Sequence, residues 1–526
     1  MARKHLSLII ALALATIIAA CSPQATEGPE GGGDGDAGTG PLVYAHPTTF
    51  PDLDPSTGFS NDSAVNGSVY ETLVRYNPGG DDLVTPVLAT EWEANADSTR
   101  WTFTLRDGVS FHDGTELRAA AVVASIERTM KLGQGAAFIW DPVRSIDAPD
   151  DSTVVFELKY PAPLDLVATA GYGAYIFSPE CVAGKKSAWF NKGNDCGSGP
   201  YAVKSHEPGQ RVVLEAFEDY WGGWEEGQFE DVVLQVVEDP TVRQQMIESG
   251  DADFTYEIPI DNLASLEGNS EVRVVSNPAF QNLLAFFNTR KAPLDDPKVR
   301  KALALAFPYA AYVRNVMQGF AQQANGVVPH GLFGHSESVP PYNQDLDRAR
   351  RLLGQAGLDK GTPLTLTYAT GDQNEAQAAE LWKAELAKLG VDLEIRSMSW
   401  EAQWDLGKSD PAKAQDIFVM YWWPTYPTPY DFLFSMFHSE DQPLFNLGYY
   451  SNPDFDKTID KANVTLGTNR EQAEQMFVAA QKMLYRDTPA VPIFDQHNIH
   501  VIRSDIAGYE DNPAYSHVVF FYELSR

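Results

Sequence analysis

The chain predicts an α/β fold. Segments with a two-residue hydrophobic period alternate with segments of helical period, helix caps and stops fall between them, and the two kinds are interleaved from end to end. In order, 101–106 alternates apolar and polar residues as a half-buried strand. Asp107-Gly108 and Asp113-Gly114 are turn dipeptides that bracket a short Val109–Phe111 strand. A helix is predicted over 118–131, with Val122, Val123, Ile126 and Met130 on one face. Strands follow over 153–158, 211–217 and 231–237. Asp295-Asp296-Pro297 opens a helix with an N-cap and a proline at its first position. Val299, Leu303, Ala306 and Phe307 form its inner face. A helix over 376–389 stops at Gly390, a strand covers 391–396, a helix covers 471–485 and a strand covers 492–502. No internal repeat is present.

The N-terminus reads as an export signal. Arg3 and Lys4 precede an apolar run from Leu6 to Ala20, which ends in Ile18-Ala19-Ala20-Cys21. The run is too short to span a bilayer, which takes about 20 apolar residues. The box resembles that of bacterial lipoproteins, in which the cysteine is acylated and becomes the mature N-terminus. Residues 1–21 are therefore expected to be the leader, Cys21 the lipidated residue, and the Gly-, Pro- and acid-rich stretch 22–40 a flexible tether. The mature protein is expected on the outer side of the cytoplasmic membrane, held by lipid.

Composition bounds the rest. The chain has 526 residues, 44% hydrophobic and 11% aromatic, enough for a folded body of several domains. A net charge of −33 argues against nucleic acid, whose phosphates need Lys and Arg. Two cysteines remain after Cys21. An extracytoplasmic location favours a Cys181–Cys196 disulfide, closing a loop of about 15 residues at ~3 kcal/mol. Neither a C-x-x-C pair nor a third sulfur suggests redox or metal chemistry there.

Four separated blocks resemble the extracytoplasmic solute-binding proteins of ABC importers, family 5 (peptide/nickel type). The first runs from Trp101 through Phe111-His112-Asp113-Gly114 to Arg128. The second is Gly197-Ser-Gly-Pro-Tyr201, the third Phe287-Asn-Thr-Arg290 with 294–303, and the fourth Tyr421-Trp-Trp-Pro-Thr-Tyr-Pro-Thr-Pro-Tyr430. The resemblance implies a two-lobed, type II periplasmic-binding-protein fold of the large class, with a hinge and an interlobe crevice. Lobe I is expected over 41–80, 197–280 and 493–526, an inserted domain II over 81–196, and lobe III over 281–492. It also implies closure around a ligand, delivery to an ABC permease and ATPase complex, a monomer, and binding without catalysis.

Peptide binders of this family hold the ligand's α-ammonium with an Asp that follows a Trp-containing strand end. Thr425 stands at that place here, and a hydroxyl does not neutralise an ammonium. Asp431 is six residues further on and reaches the place only by an unusual loop path. Oligosaccharides or other neutral to cationic polar solutes therefore rank slightly ahead of oligopeptides. Expected ligand contacts are Trp400, Trp422, Trp423, Thr425 and Tyr426, with Phe59 and Asn61 from a loop near the mature N-terminus; aromatic rings suit sugar faces, planar solutes and cations. Trp404 and Tyr430 read as core. Trp422→Ala is expected to weaken binding by ~1–3 kcal/mol without unfolding the chain.

No cofactor or metal is expected. His497 and His500, three apart on a strand, face opposite ways. His330 and His335 sit in a glycine-containing loop with no cysteine or acidic ligand read beside them, and His112 reads as structural. The enzyme motifs H-E-x-x-H, G-x-S-x-G and the P-loop are missing. The rival functions are a surface receptor for a signalling partner and, behind it, a glycan-acting enzyme with two separated carboxylates.

Overall fold

The computed structural model describes residues 40–80, 82–358, 361–515 and 518–526. The expected leader, the expected lipidation site Cys21 and residues 22–39 of the expected tether lie outside the described residues.

Two long strands organise the molecule. Val272–Phe287 and Ala490–Arg503 pair antiparallel from Val272 opposite Arg503 to Phe286 opposite Ala490. They lie in the middle of an eleven-stranded sheet. On one side follow Phe254–Tyr256, Leu42–His46, Asp231–Val236, Arg211–Ala216 and Tyr201–Glu207; on the other follow Ile417–Trp422, Pro363–Ala369 and Asp392–Met398. The register slips between Pro278 and Asn282. Proline has no N–H for the ladder, so a break at this point follows from the residue type. The expected lobe boundaries at 280/281 and 492/493 fall within these two strands.

Each end of the sheet has its own apolar core. One gathers Leu42, Tyr44, Phe177, Leu214, Phe254 and Ile502; the other gathers Leu283, Leu303, Trp382, Ile417 and Phe494. A third core fills a separate four-stranded sheet, made of Ala89–Ala94, Arg100–Leu105, Thr153–Leu158 and Val143–Asp147, beneath the helix Ala119–Leu132. That core continues into Phe418, Trp422, Phe437 and Phe477 of the region after the long strand.

The local signals mostly place elements within a residue or two. Asp296 accepts from Lys298 N–H (2.7 Å) to open the helix Pro297–Ala306. The helix expected from 376 begins at Gln373, because the Asp372 carboxylate accepts from Glu375 N–H (2.8 Å) and caps it earlier. Val109–Phe111 is not a strand: a single bridge, Ser110 to Glu116, closes across the Asp113-Gly114 turn.

The second and first sequence blocks meet in space. A Cβ on Gly197 would lie 1.8 Å from Val69 O, and one on Gly199 would lie 2.4 Å from Ser68 O. Only glycine lets the 197–199 backbone reach the end of the helix Ser63–Val69, where Gly199 N–H donates to Val69 O (2.9 Å). His112 N–H donates to Gly197 O (2.8 Å), and the His112 ring spans Gly199 O and the Asp195 carboxylate (2.9 and 2.5 Å). Nearby, Cys181 and Cys196 are joined, with Cα atoms 5.7 Å apart.

Candidate functional site

A cavity of about 540 Å³ opens where three parts of the chain meet. The loop before the helix Ser63–Val69 supplies Thr57, Phe59 and Ser60, and Gly135 comes from the segment after the helix Ala119–Leu132. The opposite wall is the helix Trp400–Gly407 with Lys408, the strand end Met420 to Trp422, the following Trp423 and Thr425, and Leu444 with Phe445. A cavity at Tyr256 and His500 has about 80 Å³ by comparison. The larger one falls in the range of small-molecule sites, roughly 300–1,000 Å³.

The wall is shaped by local rules. Ser399 caps the helix by accepting from Ala402 N–H (3.3 Å). Buried Gln403 donates to Thr367 O (3.1 Å) and Val419 O (2.9 Å), fastening one face to the sheet. Trp400 and Trp404, one turn apart, share another face. Their rings are 5.1 Å apart; Trp404 then meets Phe445 at 5.9 Å, and Phe445 meets Trp422 at 5.3 Å and Phe59 at 6.4 Å. Phe59 continues to Tyr172 at 5.2 Å. The rings therefore run unbroken from one wall to the other. Trp400 is 42% exposed and Trp422 only 8%.

The opposing loop is held by charge. Asp54 is fully buried and accepts both arms of the Arg128 guanidinium (2.6 and 2.7 Å), with Ser187 Oγ adding a third bond (3.0 Å). Asp62 Oδ1 accepts from Asp52 N–H (2.8 Å), and burial pushes the Asp62 pKa up to about 7. Gly135, at φ +55, lies so close that a Cβ would sit 2.7 Å from Thr57 O.

Of the expected contacts, Trp400, Trp422, Trp423, Thr425 and Phe59 line the cavity. Tyr426 and Asn61 are not among its lining residues. Tyr426 is buried near Asp431, Thr428 and Tyr160; Asn61 uses its carbonyl to start the next helix, accepting from Ala64 N–H (3.0 Å). Trp404, read as core, is on the wall. Glu401, Asp405, Lys408 and Phe445 also line the cavity, beyond the contacts expected from sequence. The i, i+4 spacing of Glu401 to Asp405 and of Trp400 to Trp404 carried the signal for the helix face; Phe445 carried none.

Asp431 needs no unusual path to reach Thr425. Thr428 caps the helix Pro429–Phe437 by accepting from Asp431 N–H (3.2 Å), and this turn brings the Asp431 carboxylate back to accept from Thr425 N–H (3.2 Å). Asp431 is 2% exposed; burial raises its pKa to about 7, against lowering by the Thr425 backbone, the Trp422 indole and the Thr425 hydroxyl. The indole is near but makes no well-formed hydrogen bond, since Trp422 Nε1 and Asp431 Oδ1 are both left without one. The carboxylate thus stands behind Thr425, while Thr425 itself faces the cavity.

The reading of His330 and His335 as lacking an acidic neighbour is also corrected. Glu337 approaches both rings, and Asp495, remote in sequence, hydrogen-bonds His330.

The family model for bacterial extracellular solute-binding proteins, family 5 (middle), matches residues 84–443. The chain belongs to this family. The probable D,D-dipeptide-binding periplasmic protein DdpA of Escherichia coli (strain K12) is 31% identical over 483 residues, which are 90% of this chain and 92% of that one. Di/tripeptide-binding protein 2 of Pseudomonas aeruginosa (strain UCBPP-PA14) is 26% identical, covering 89% and 91% of the two chains. Among solved structures, the periplasmic binding protein DppA of Helicobacter pylori in complex with peptide STSA superposes with a TM-score of 0.81 at 24% identity, over 92% of this chain and 98% of that one. A dipeptide-binding protein of Pseudoalteromonas in complex with Met-Leu gives 0.82 at 22% identity, over 93% and 100%. The fold is the two-lobed, type II fold of periplasmic binding proteins. Among the described residues no helix is long and apolar enough to cross a membrane.

Proposed function

We propose that this family 5 protein captures a peptide-like solute of dipeptide to tripeptide size in the ring-lined cavity and hands it to an ABC permease. The observation that carries the reading is the cavity of about 540 Å³ between the 57–60 loop and the 400–425 wall, with aromatic faces on both sides. The relatives named as di- and tripeptide binders bring peptides ahead of sugars, reversing the order drawn from Thr425 alone.

The missing aspartate is met in two ways. Glu401 and Asp405 stand one turn apart on the cavity wall beside Trp400 and Trp404, so an ammonium finds carboxylates and π faces together. Deeper in, Asp431 accepts from the Thr425 N–H and holds Thr425 on the cavity wall, where its hydroxyl can accept from a ligand N–H. Closure of one lobe on the other would bring Phe59 against the guest and exclude water. We extend the reading to the parts outside the cavity: Cys21 carries the lipid anchor, Cys181–Cys196 is oxidised in the extracytoplasmic space, and the protein binds without turnover as a monomer.

The test is mass spectrometry of the solute that co-purifies, followed by calorimetry with free dipeptides and tripeptides, their N-acetylated forms and oligosaccharides. Binding of the free-amine peptides, weakened by acetylation and by Glu401→Gln with Asp405→Asn, is expected. A folded protein that binds only oligosaccharides overturns the substrate class.

A further inference from the structure

A second site lies in the 325–337 loop, outside the cavity just described. His330 and His335 have ring centroids 4.1 Å apart. Each turns its Nε2 to the same carboxylate oxygen: Glu337 Oε1 is 3.8 Å from His330 Nε2 and 3.5 Å from His335 Nε2. The three donor atoms all lie within 4.8 Å of one another.

The partners of the other ring nitrogens set the tautomer. His335 Nδ1 is 3.0 Å from Val328 O, a carbonyl that only accepts, so Nδ1 holds the proton. His330 Nδ1 bonds the Asp495 carboxylate, which also accepts from His330 N–H (3.0 Å). In its neutral form each imidazole, with Nδ1 holding the proton, presents an Nε2 lone pair. His335 Nε2 is buried and has no hydrogen-bond partner. In that form two Nε2 lone pairs and the Glu337 carboxylate converge.

The supporting residues hold this geometry in place. Asn325 Nδ2 donates to Glu337 Oε2 (3.3 Å). Gln481, 1% exposed, accepts from Val328 N–H (3.3 Å) and donates to Gly334 O (2.9 Å), so it clamps both sides of the loop. Gly334, at φ +79, lets the loop pass where a Cβ would stand 2.6 Å from Pro429 Cγ. Imidazoles oriented through Nδ1 by a carboxylate and a backbone carbonyl are the usual outer shell of a histidine metal site.

We propose that His330, His335 and Glu337 bind a divalent transition-metal ion of the zinc type, with Asp495 and Asn325 as positioning residues. Two imidazoles and one carboxylate suit Zn²⁺, Ni²⁺, Co²⁺ or Cu²⁺, whereas Ca²⁺ and Mg²⁺ want all-oxygen shells. Ligands of a tetrahedral zinc with bonds of about 2.0–2.1 Å stand roughly 3.3 Å apart. The separations of 3.5 and 3.8 Å to the Glu337 oxygen need only small side-chain shifts to reach that spacing. Glu337 is 84% exposed at its side chain, which gives the ion a way in and the carboxylate freedom to adjust. Water would complete the coordination. The ion would tie the 325–337 loop to Asp495 in the long strand Ala490–Arg503, a structural clip without chemistry of its own.

Zinc titration of the chelator-treated full chain at neutral pH tests this, with Zn²⁺ itself as the probe and bound metal read by elemental analysis after desalting. One Zn²⁺ per chain is expected, resistant to millimolar Ca²⁺, with a rise in melting temperature. Glu337→Gln should weaken binding tenfold or more, and His330→Gln with His335→Gln should abolish both the binding and the thermal rise. Glu337 is on the surface, so its variant keeps the fold. Co²⁺ should give visible d–d bands in the wild type and lose them in the histidine variant. Zinc binding that is equal in wild type and all variants places the ion on the acidic surface and overturns the proposal. No zinc binding at all shows that a proton relieves the cluster, and equally overturns it. Neither outcome bears on the peptide cavity.

Discussion

Trp400→Ala separates ligand contact from stability. A tryptophan presents at most roughly 250 Å², so an exposure of 42% leaves about 100 Å² for a guest to cover. At ~25 cal/mol per Å² that area is worth about 2.5 kcal/mol. Ordering of the ligand and incomplete coverage reduce it, so the expected loss is ~1–2 kcal/mol, a rise in Kd of about 5- to 30-fold. The buried part of the ring rests on Trp404 and Phe418, at 5.1 and 6.4 Å, so the melting temperature should fall only a few degrees. The assay is calorimetry with the best-binding peptide of the panel, with circular dichroism and thermal melting on the same sample. A Kd within about twofold of wild type, with the fold intact, would remove Trp400 from the contact surface and refute the placement of the guest against this helix. Trp422 cannot serve in the same way. Read from sequence, its truncation leaves the fold whole; at 8% exposure inside the central core it should instead cost about 3–5 kcal/mol of stability, confounding any loss of affinity.

Arg128→Met leaves the fully buried Asp54 carboxylate without its bidentate partner, and urea unfolding should show a loss of about 3–5 kcal/mol; Asp54→Asn combined with Arg128→Met should lose less than the sum. Cys181→Ser with Cys196→Ser should cost about 3 kcal/mol for the loop they close, a sequence separation of 15, measured the same way. Stability should rise as pH falls from about 8 to about 5. Burial raises Asp62, Glu71, Glu257 and Asp431 to about 7 and Asp511 to about 6. Their folded values lie above the ordinary carboxyl range, so the folded state holds protons the unfolded chain has released. That contribution is complete below about pH 4 and is lost as pH rises through the folded values. Burial alone would lower His112, but the Asp195 hydrogen bond and charge raise it, and its contribution likewise lies on the acid side. A melting temperature at pH 5.5 below that at pH 8 would refute the assignment.

What the chain determines locally, it shows in its sequence. Asp296-Pro297 marks its helix because a cap needs one side-chain oxygen and one free N–H two residues away. The Gly197-Ser-Gly-Pro-Tyr block and His112 are recognisable because close backbone approach tolerates only glycine, though the partner, the end of the helix Ser63–Val69, appears only when folded. Trp400 and Trp422 could be named because the family resemblance marks aromatic pocket positions, whereas Trp404, read as core, could not. Tertiary structure decided the rest. Phe445 meets Trp404, Trp422 and Phe59 only when distant segments pack together, and no local spacing encodes those distances. Asp431 returns to Thr425 because a capped helix start reverses the chain between them. His330 gains its partner Asp495 from 165 residues away. Periodicity and caps act over a few residues, whereas the convergence of side chains on a site depends on how distant segments pack, and that is fixed only by the whole core.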